Sequence, residues 1–132
     1  MDSEFRQLDA RERGLLEKLL EADFSGRDEL RTQLDSLTAK QIDQDGTLSL
    51  RCGSGRPSPR KYKLAFEGIC KDADGGTIAI LLHADKDGFM SMLEILKYGG
   101  SPIINPPTAR DMVNLLPESP GRRPGDETAQ TS

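Results

Sequence analysis

The chain has 132 residues, 35% apolar and 30% charged, with no Trp, two Tyr and a formal net charge of −4. That length suits one domain with a single core of Leu, Ile, Val, Met and Phe, and the negative balance disfavours nucleic acid, whose phosphates require a basic surface. The opening Met1-Asp2-Ser3-Glu4-Phe5-Arg6 has no cationic start leading into an apolar stretch, so no signal peptide and no membrane-spanning helix are expected, and the chain reads as cytoplasmic.

Asp9 and Glu12 have capping-box spacing, and Leu15, Leu16, Leu19 and Leu20 lie on one helical stripe, which predicts a helix over 9–22. Ser25 and Asp28 repeat the start signal ahead of Leu30, Leu34 and Leu37, predicting a second, narrower amphipathic helix. A turn around Asp23 to Gly26 would make the two a helical hairpin. From Ala39 the period becomes alternating. Leu48, Leu50 and Cys52 point one way and Thr47, Ser49 and Arg51 the other, as in a hairpin with one wet face. Gly53 to Pro59 has no periodicity and reads as a loop, after which Tyr62, Leu64 and Phe66 alternate into a strand ending near Cys70.

Thr77 to Ala84 is a nearly unbroken apolar run, short and β-branched at its start, and is expected to be a central strand covered on both faces for part of its length. Phe89 to Tyr98 supplies the last long strand. Its apolar positions break alternation between Met92 and Leu93, which a bulge near Met92 reconciles; a helix over 90–97 is the competing local reading. Ser101 to Pro107 is too rich in Pro to continue a ladder and is expected as an ordered, partly buried loop. Thr108 and Asp111 start a short helix whose Ala109, Met112, Val113 and Leu116 can dock on the core. The domain is therefore expected over 1–116, with a disordered tail over 117–132, which lacks the apolar residues needed to offset ordering. The expected architecture is α+β: an N-terminal helical hairpin packed on a four- to five-stranded antiparallel meander sheet, closed by a short C-terminal helix.

Asp-x-Asp-Gly occurs at Asp43 to Gly46, Asp72 to Gly75 and Asp85 to Gly88, each time between predicted strands. Gly after Asp supplies the positive φ that a type I′ hairpin turn requires, so the motif predicts three hairpin turns with their carboxylates left in water. A calcium reading fails at the continuation. An EF-hand needs an oxygen ligand at the fifth position and a Glu at the twelfth, whereas the copies offer Thr47, Gly76 or Phe89 and then Ser54, His83 or Leu96.

The remaining chemistry is sparse. His83, the single histidine, ends the most apolar strand, where a structural imidazole is more common than a catalytic one; no nucleophile elbow or cysteine signature accompanies it. Two thiols and one imidazole fall short of four zinc ligands, and no phosphate-binding loop is present. No cofactor is expected. Cys52 and Cys70 pack as small apolar groups or pair if their strands are neighbours; spacing alone leaves this open. Arg51, Arg56, Arg60, Lys61 and Lys63 form an acid-free basic segment that either contacts an acidic partner or is a solvated loop with protective edge lysines. Glu94 is a further candidate binding residue if it faces inward, and an ordinary surface carboxylate if it faces out.

The run Asp72-Ala-Asp-Gly-Gly-Thr-Ile-Ala-Ile-Leu-Leu-His, continued by Leu93-Glu-Ile-Leu-Lys-Tyr-Gly-Gly-Ser-Pro-Ile103, resembles a family of small bacterial domains of unknown function, over about residues 8–116. No catalytic residues come with the resemblance. Domains of this size and style are similar to immunity proteins that neutralise a co-encoded toxin by binding it. Three functions are thus expected in descending order. First is a non-enzymatic protein-binding domain that sequesters a basic partner. Next is a small-ligand or divalent-metal module using Asp72, Asp74, Asp85 and Asp87, weakened because those two turns should lie at opposite ends of the sheet. Last is a hydrolase that brings His83 together with Glu94 or a cysteine. Oligomeric state is open at this level.

Overall fold

The computed structural model describes residues 4–22, 25–59 and 62–115, the side chains of 62–66 excepted. The tail over 117–132, Leu116, Arg60, Lys61 and half of the Asp23 to Gly26 turn therefore lie outside the described residues. The elements are β1 (Arg6–Gln7), α1 (Ala10–Leu19), α2 (Arg27–Gln33), β2 (Leu37–Gln41), β3 (Leu48–Cys52), β4 (Tyr62–Lys71), β5 (Thr77–Ala84), β6 (Met90–Lys97) and β7 (Val113–Leu115). Short 3-10 turns at Leu34–Ser36 and Ala109–Asp111 precede β2 and β7.

The first helix forms where its local signals place it. The Glu12 N–H donates to Asp9 Oδ1 at 2.7 Å and the Asp9 N–H to Glu12 Oε1 at 2.9 Å, closing the capping box. Arg6 adds a bidentate contact to the Glu12 carboxylate, 2.7 and 2.8 Å, which ties β1 to the helix and holds Glu12 below the usual carboxylate range. Leu15, Leu16, Leu19 and Leu20 are fully buried. The second helix is shorter than its leucine spacing suggests. It starts from Gly26 without a side-chain cap, ends at Gln33, and passes through a 3-10 turn so that Leu37 opens β2 instead of closing the helix.

The sheet is α+β in its packing and antiparallel at every pairing, but has seven strands in the order β1-β2-β3-β6-β5-β4-β7. It differs from the expected four- to five-stranded meander in three ways. Two short strands, β1 and β7, are added at the edges. The expected C-terminal helix is only the Ala109–Asp111 turn followed by β7. And β3 pairs with β6, so the chain after Cys52 crosses the ends of β6 and β5 before entering β4.

That crossing is held by polar contacts to backbone. Fully buried Gln33 donates through Nε2 to the carbonyls of Arg56 and Gly88, 2.8 and 3.1 Å, and accepts the Met90 N–H at 2.8 Å. The Ser58 N–H donates to the same Gly88 carbonyl at 2.8 Å. The Gly53 to Pro59 segment is thus clamped on the β5–β6 turn, and α2 must stop where its last side chain performs this clamp.

All three Asp-x-Asp-Gly segments are hairpin turns, but not of type I′. In each the glycine N–H donates to the carbonyl of the first Asp, at 3.3, 2.9 and 3.0 Å, placing Gly46, Gly75 and Gly88 in the fourth position with φ of +97°, +85° and +90°. A type I′ pair would put Gly in a central position; a left-handed residue directly after the turn is the longer, bulged hairpin form. The expected β6 bulge is present one residue early: His83 pairs with Met92 and Ala84 with Met90, leaving Ser91 as the extra residue.

Alternation assigns the two faces. Leu37, Ala39, Leu48, Leu50, Cys70, Ile78, Ile80, Leu82, Met90, Leu93 and Ile95 join the helical leucines and Met112 in one core. Cys52 packs against that core from β3 and Cys70 from β4, with β6 and β5 between them. Three strand spacings amount to roughly 14 Å, well beyond disulfide reach. Both thiols are free.

The Gly88 clamp has a measurable consequence. A Cβ on Gly75 would meet no atom within 4 Å, whereas one on Gly88 would overlap the Ser58 backbone. Gly75→Ala is expected to cost only left-handed strain, about 1–2 kcal/mol. Gly88→Ala adds displacement of the crossing segment, for a total of about 3 kcal/mol or more. Urea denaturation of the two variants checks this; equal midpoints would mean that the segment is not held there.

Candidate functional site

The helices cover one face of the sheet, and among the described residues no element covers the other. Register puts Gln7, Thr38, Lys40, Ser49, Arg51, Met92, Glu94, Leu96, Thr77, Ala79, Leu81, His83, Glu67, Ile69, Lys71, Val113 and Leu115 on this second face. β5 is apolar on both sides, as its sequence predicts: Ala79 and Leu81 are 1% and 7% exposed even though they face away from the helices. Strands with continuous apolar runs belong in positions covered on both faces. Five large hydrophobic side chains among the described residues are well exposed, and four of them continue this face: Ile42 at 52%, Tyr98 at 55%, Val113 at 62% and Leu115 at 40%. Tyr98 stays in the ladder through its N–H to the Thr77 carbonyl, 2.9 Å, and Ile42 extends β2 by one residue.

Two polar pairs lie on this face, Lys71 with Thr77, whose Nζ donates to Oγ1 at 2.9 Å, and His83 with Glu94. His83 Nε2 and Glu94 Oε1 are 2.9 Å apart across β5 and β6, with both side chains partly buried. Glu94 therefore faces away from the core, as an outward carboxylate of a half-wet strand does, but it is not a free one. Cys52 and Cys70 pack on the opposite face, so the sheet itself separates both thiols from His83. The other predicted binding residues are dispersed. Arg51 lies on the second face with its guanidinium carbon 4.2 Å from the centre of the Phe5 ring. Arg56 is exposed in the clamped loop at the end of the sheet near Gly88. The basic segment is not gathered into one patch among the described residues.

The four turn carboxylates do lie at opposite ends of the sheet, but they are not simply left in water. Asp85 Oδ1 accepts the N–H groups of Asp87 and Phe89, 2.8 and 3.0 Å, and Asp43 does the same for Asp45 and Thr47, 2.9 and 3.1 Å. Asp72 is buried. Its Oδ1 accepts from the N–H groups of Ala73 and Asn105, both 2.8 Å, and its Oδ2 from the Ile104 N–H at 2.7 Å and Lys97 Nζ at 2.8 Å. Lys97 is itself buried, and its ammonium donates further to Asp74 Oδ2 at 2.7 Å and the Pro102 carbonyl at 3.1 Å. An ammonium therefore occupies the position between Asp72 and Asp74 where a cation would sit. Burial alone would push the Asp72 carboxyl up, but the Ile104 N–H, the Lys97 ammonium and the Asn105 and Ala73 N–H groups outweigh it and hold the carboxyl well below the usual range. Lys97 lowers Asp74 too, and the two carboxylates raise Lys97.

Sequence reasoning missed this pair and the Gln33 clamp. The signal for Lys97 was available: after the bulge, Leu93 and Ile95 set the inward phase of β6, and Lys97 is the next position in it. Nothing local marks Gln33. A cavity of about 380 Å³ lies elsewhere, near the β1 edge, lined by Gln7, Leu8, Arg13, Asp35 and Thr38 among others, and contains none of the predicted site residues. Among the described residues no group of three or more His, Cys, Asp or Glu side chains is placed to hold a metal ion, and no helix is long and apolar enough to cross a membrane.

A family model described as a domain of unknown function (DUF6984) matches residues 5–107. No curated protein and no solved structure matches the chain.

The acid end of the sheet makes a demand that pH can test. Asp72 and Asp74 have folded values below that of an unfolded Asp, near 3.9. Their contribution to stability is therefore complete above that value and is lost as pH falls through the lower folded values. Asp72→Asn leaves Lys97 without its buried partner and is expected to lower the urea midpoint at pH 7 by more than Gly75→Ala does. It should also flatten the acid decline between about pH 5 and pH 2. Midpoints measured across that window decide it: a variant as acid-sensitive as the parent would show that Asp72 is not the linked group.

Proposed function

We propose that this chain, which belongs to the DUF6984 family of domains of unknown function, is a non-enzymatic protein-binding domain that takes its partner on the helix-free face of the sheet. The observation that carries this reading is the set of four well-exposed hydrophobic side chains, Ile42, Tyr98, Val113 and Leu115, on the side of the sheet that no described element covers. Apolar area of this kind on a soluble chain marks a contact surface. A face built on paired strands also suits binding, because hydrogen-bonded backbone has little conformational entropy left to lose when a partner settles on it.

Charge supports a division of labour. The net charge of −4 attracts a basic partner at long range, while the face supplies short-range apolar contact. Neutralising a co-encoded toxin is the role that the resemblance to immunity domains implies, and a cytoplasmic setting agrees with two separated free thiols. The hydrolase reading has one observation in its favour, the 2.9 Å His83–Glu94 contact. It lacks a thiol on that side of the sheet. The metal reading is weaker, since Lys97 already bridges Asp72 and Asp74.

The test is affinity capture from the native host with the full chain and three variants. The parent should recover one protein in stoichiometric amount. Tyr98→Glu and Val113→Glu should each reduce recovery about tenfold, as loss of an anchoring apolar contact does, and Lys86→Glu, on the β5–β6 turn, should leave it unchanged. Recovery of no stoichiometric partner, or equal recovery by all four chains, would remove the reading.

A further inference from the structure

We propose that Asp45 is the site at which the main chain of the folded protein rearranges spontaneously to isoaspartate, while Asp74 and Asp87, which stand in the same motif, are shielded from it. This goes beyond the docking reading and does not depend on it.

The chemistry needs only the chain and water. An Asp-Gly step is the one most open to it, because glycine sets no side chain beside the attacking nitrogen. The glycine nitrogen attacks Cγ of the protonated Asp carboxyl and loses its hydrogen, and the carboxyl hydroxyl leaves with that hydrogen as water, closing a five-membered succinimide. Water then returns to one of the two ring carbonyls. Addition at Cγ breaks the new bond and restores Asp. Addition at the main-chain carbonyl carbon breaks the old peptide bond, so that the chain runs through Cβ and Cγ and carries a free α-carboxylate, with mass and formal charge unchanged.

Asp-Gly occurs at Asp45-Gly46, Asp74-Gly75 and Asp87-Gly88. All three glycines donate their N–H to the carbonyl of the first Asp of the turn and have φ between +85° and +97°, so the turn itself does not rank them. What holds the carboxyl and the glycine does. Asp74 is held at its carboxyl, where Oδ2 accepts the Lys97 ammonium at 2.7 Å and Oδ1 the Gly76 N–H at 2.9 Å, bonds that keep it in the unreactive ionised form. Asp87 is held at its glycine. Gly88 is buried, its carbonyl accepts Gln33 Nε2 at 3.1 Å and the Ser58 N–H at 2.8 Å, and the Ser58 backbone lies against its Cα. Its nitrogen cannot turn toward Cγ without lifting the crossing segment. Asp45 has neither restraint. Among the described residues its carboxylate accepts no hydrogen bond. The Gly46 N–H reaches the Asp43 carbonyl at 3.3 Å, beyond the usual N–H···O range, and a Cβ on Gly46 would meet only Ile95 Cδ1, at 3.8 Å.

Incubation of the full chain at neutral pH and body temperature, folded and in parallel in urea, with sampling over weeks, reads the outcome. Isoaspartate is quantified by enzymatic transfer of a labelled methyl group to the new α-carboxylate, and located by peptide mapping, since an aspartate-specific protease fails to cut at it. In the folded chain Asp45 should convert at least about tenfold faster than Asp87, whose reaction must release two backbone-carbonyl hydrogen bonds. It should outpace Asp74, which must release two charge-assisted ones, at least about a hundredfold. In urea, where all these restraints are gone, the three rates should converge to within about threefold. Gln33→Ala, which removes one restraint on Gly88, should raise the Asp87 rate about fivefold and leave Asp45 unchanged, with circular dichroism confirming the fold. If that variant does not fold, the comparison of folded chain with urea decides the matter. Equal rates in the folded chain, any order that does not put Asp45 first, or conversion of Asp45 only after unfolding overturns the inference.

Discussion

One buried ammonium holds together the end of the molecule where three segments meet. Lys97 closes β6 with its side chain inside, and its three protons go to Asp72, Asp74 and the Pro102 carbonyl. Asp72 in turn receives the N–H groups of Ile104 and Asn105, so the segment leaving β6 is strapped to the β4–β5 turn. From there the chain reaches α1, where the Arg11 guanidinium donates to the Pro107 carbonyl at 2.9 Å, and then runs as β7 along β4. A buried ion pair is weak support when a hydrophobic pair could replace it, and strong support when its lone pairs and protons all find partners, because loss of either partner then strands the other. The second situation applies here.

The opposite end is pinned by a neutral group. Gln33 meets three backbone groups from inside the core, and Gly88 permits an approach by Ser58 that any side chain would block. The strand order depends on this clamp, since it guides the chain from β3 past β6 and β5 to the start of β4. Both ends of the sheet are thus fastened by polar side chains aimed at backbone, and the broad face between them is free of the helices that cover its other side.

The sheet also decides which chemistries can meet. It places the two thiols with the helical core and the imidazole on the other side, so the ingredients that looked combinable in the sequence are kept apart. It puts the turn aspartates at the ends, where they are engaged with backbone amides or with Lys97, and sets Glu94 against His83 on the open face.

What the chain alone determined is what depends on neighbours a few residues away. Asp9 and Glu12 start α1, the leucine stripe gives it a buried side, the aspartate–glycine steps reverse the chain, and the apolar run at Thr77 to Ala84 is a central strand, because caps, turns and periodicity are local interactions. Tertiary structure decided the rest: that β3 lies beside β6, that α2 yields at Leu34 so that Gln33 can reach Gly88 and Met90, that Val113 to Leu115 extend along β4 instead of coiling, and that Lys97 meets an aspartate 25 residues earlier. Each of these exchanges a weak local preference for hydrogen bonds and burial between distant segments, and such partners are chosen by register and strand order, which no short window of residues contains.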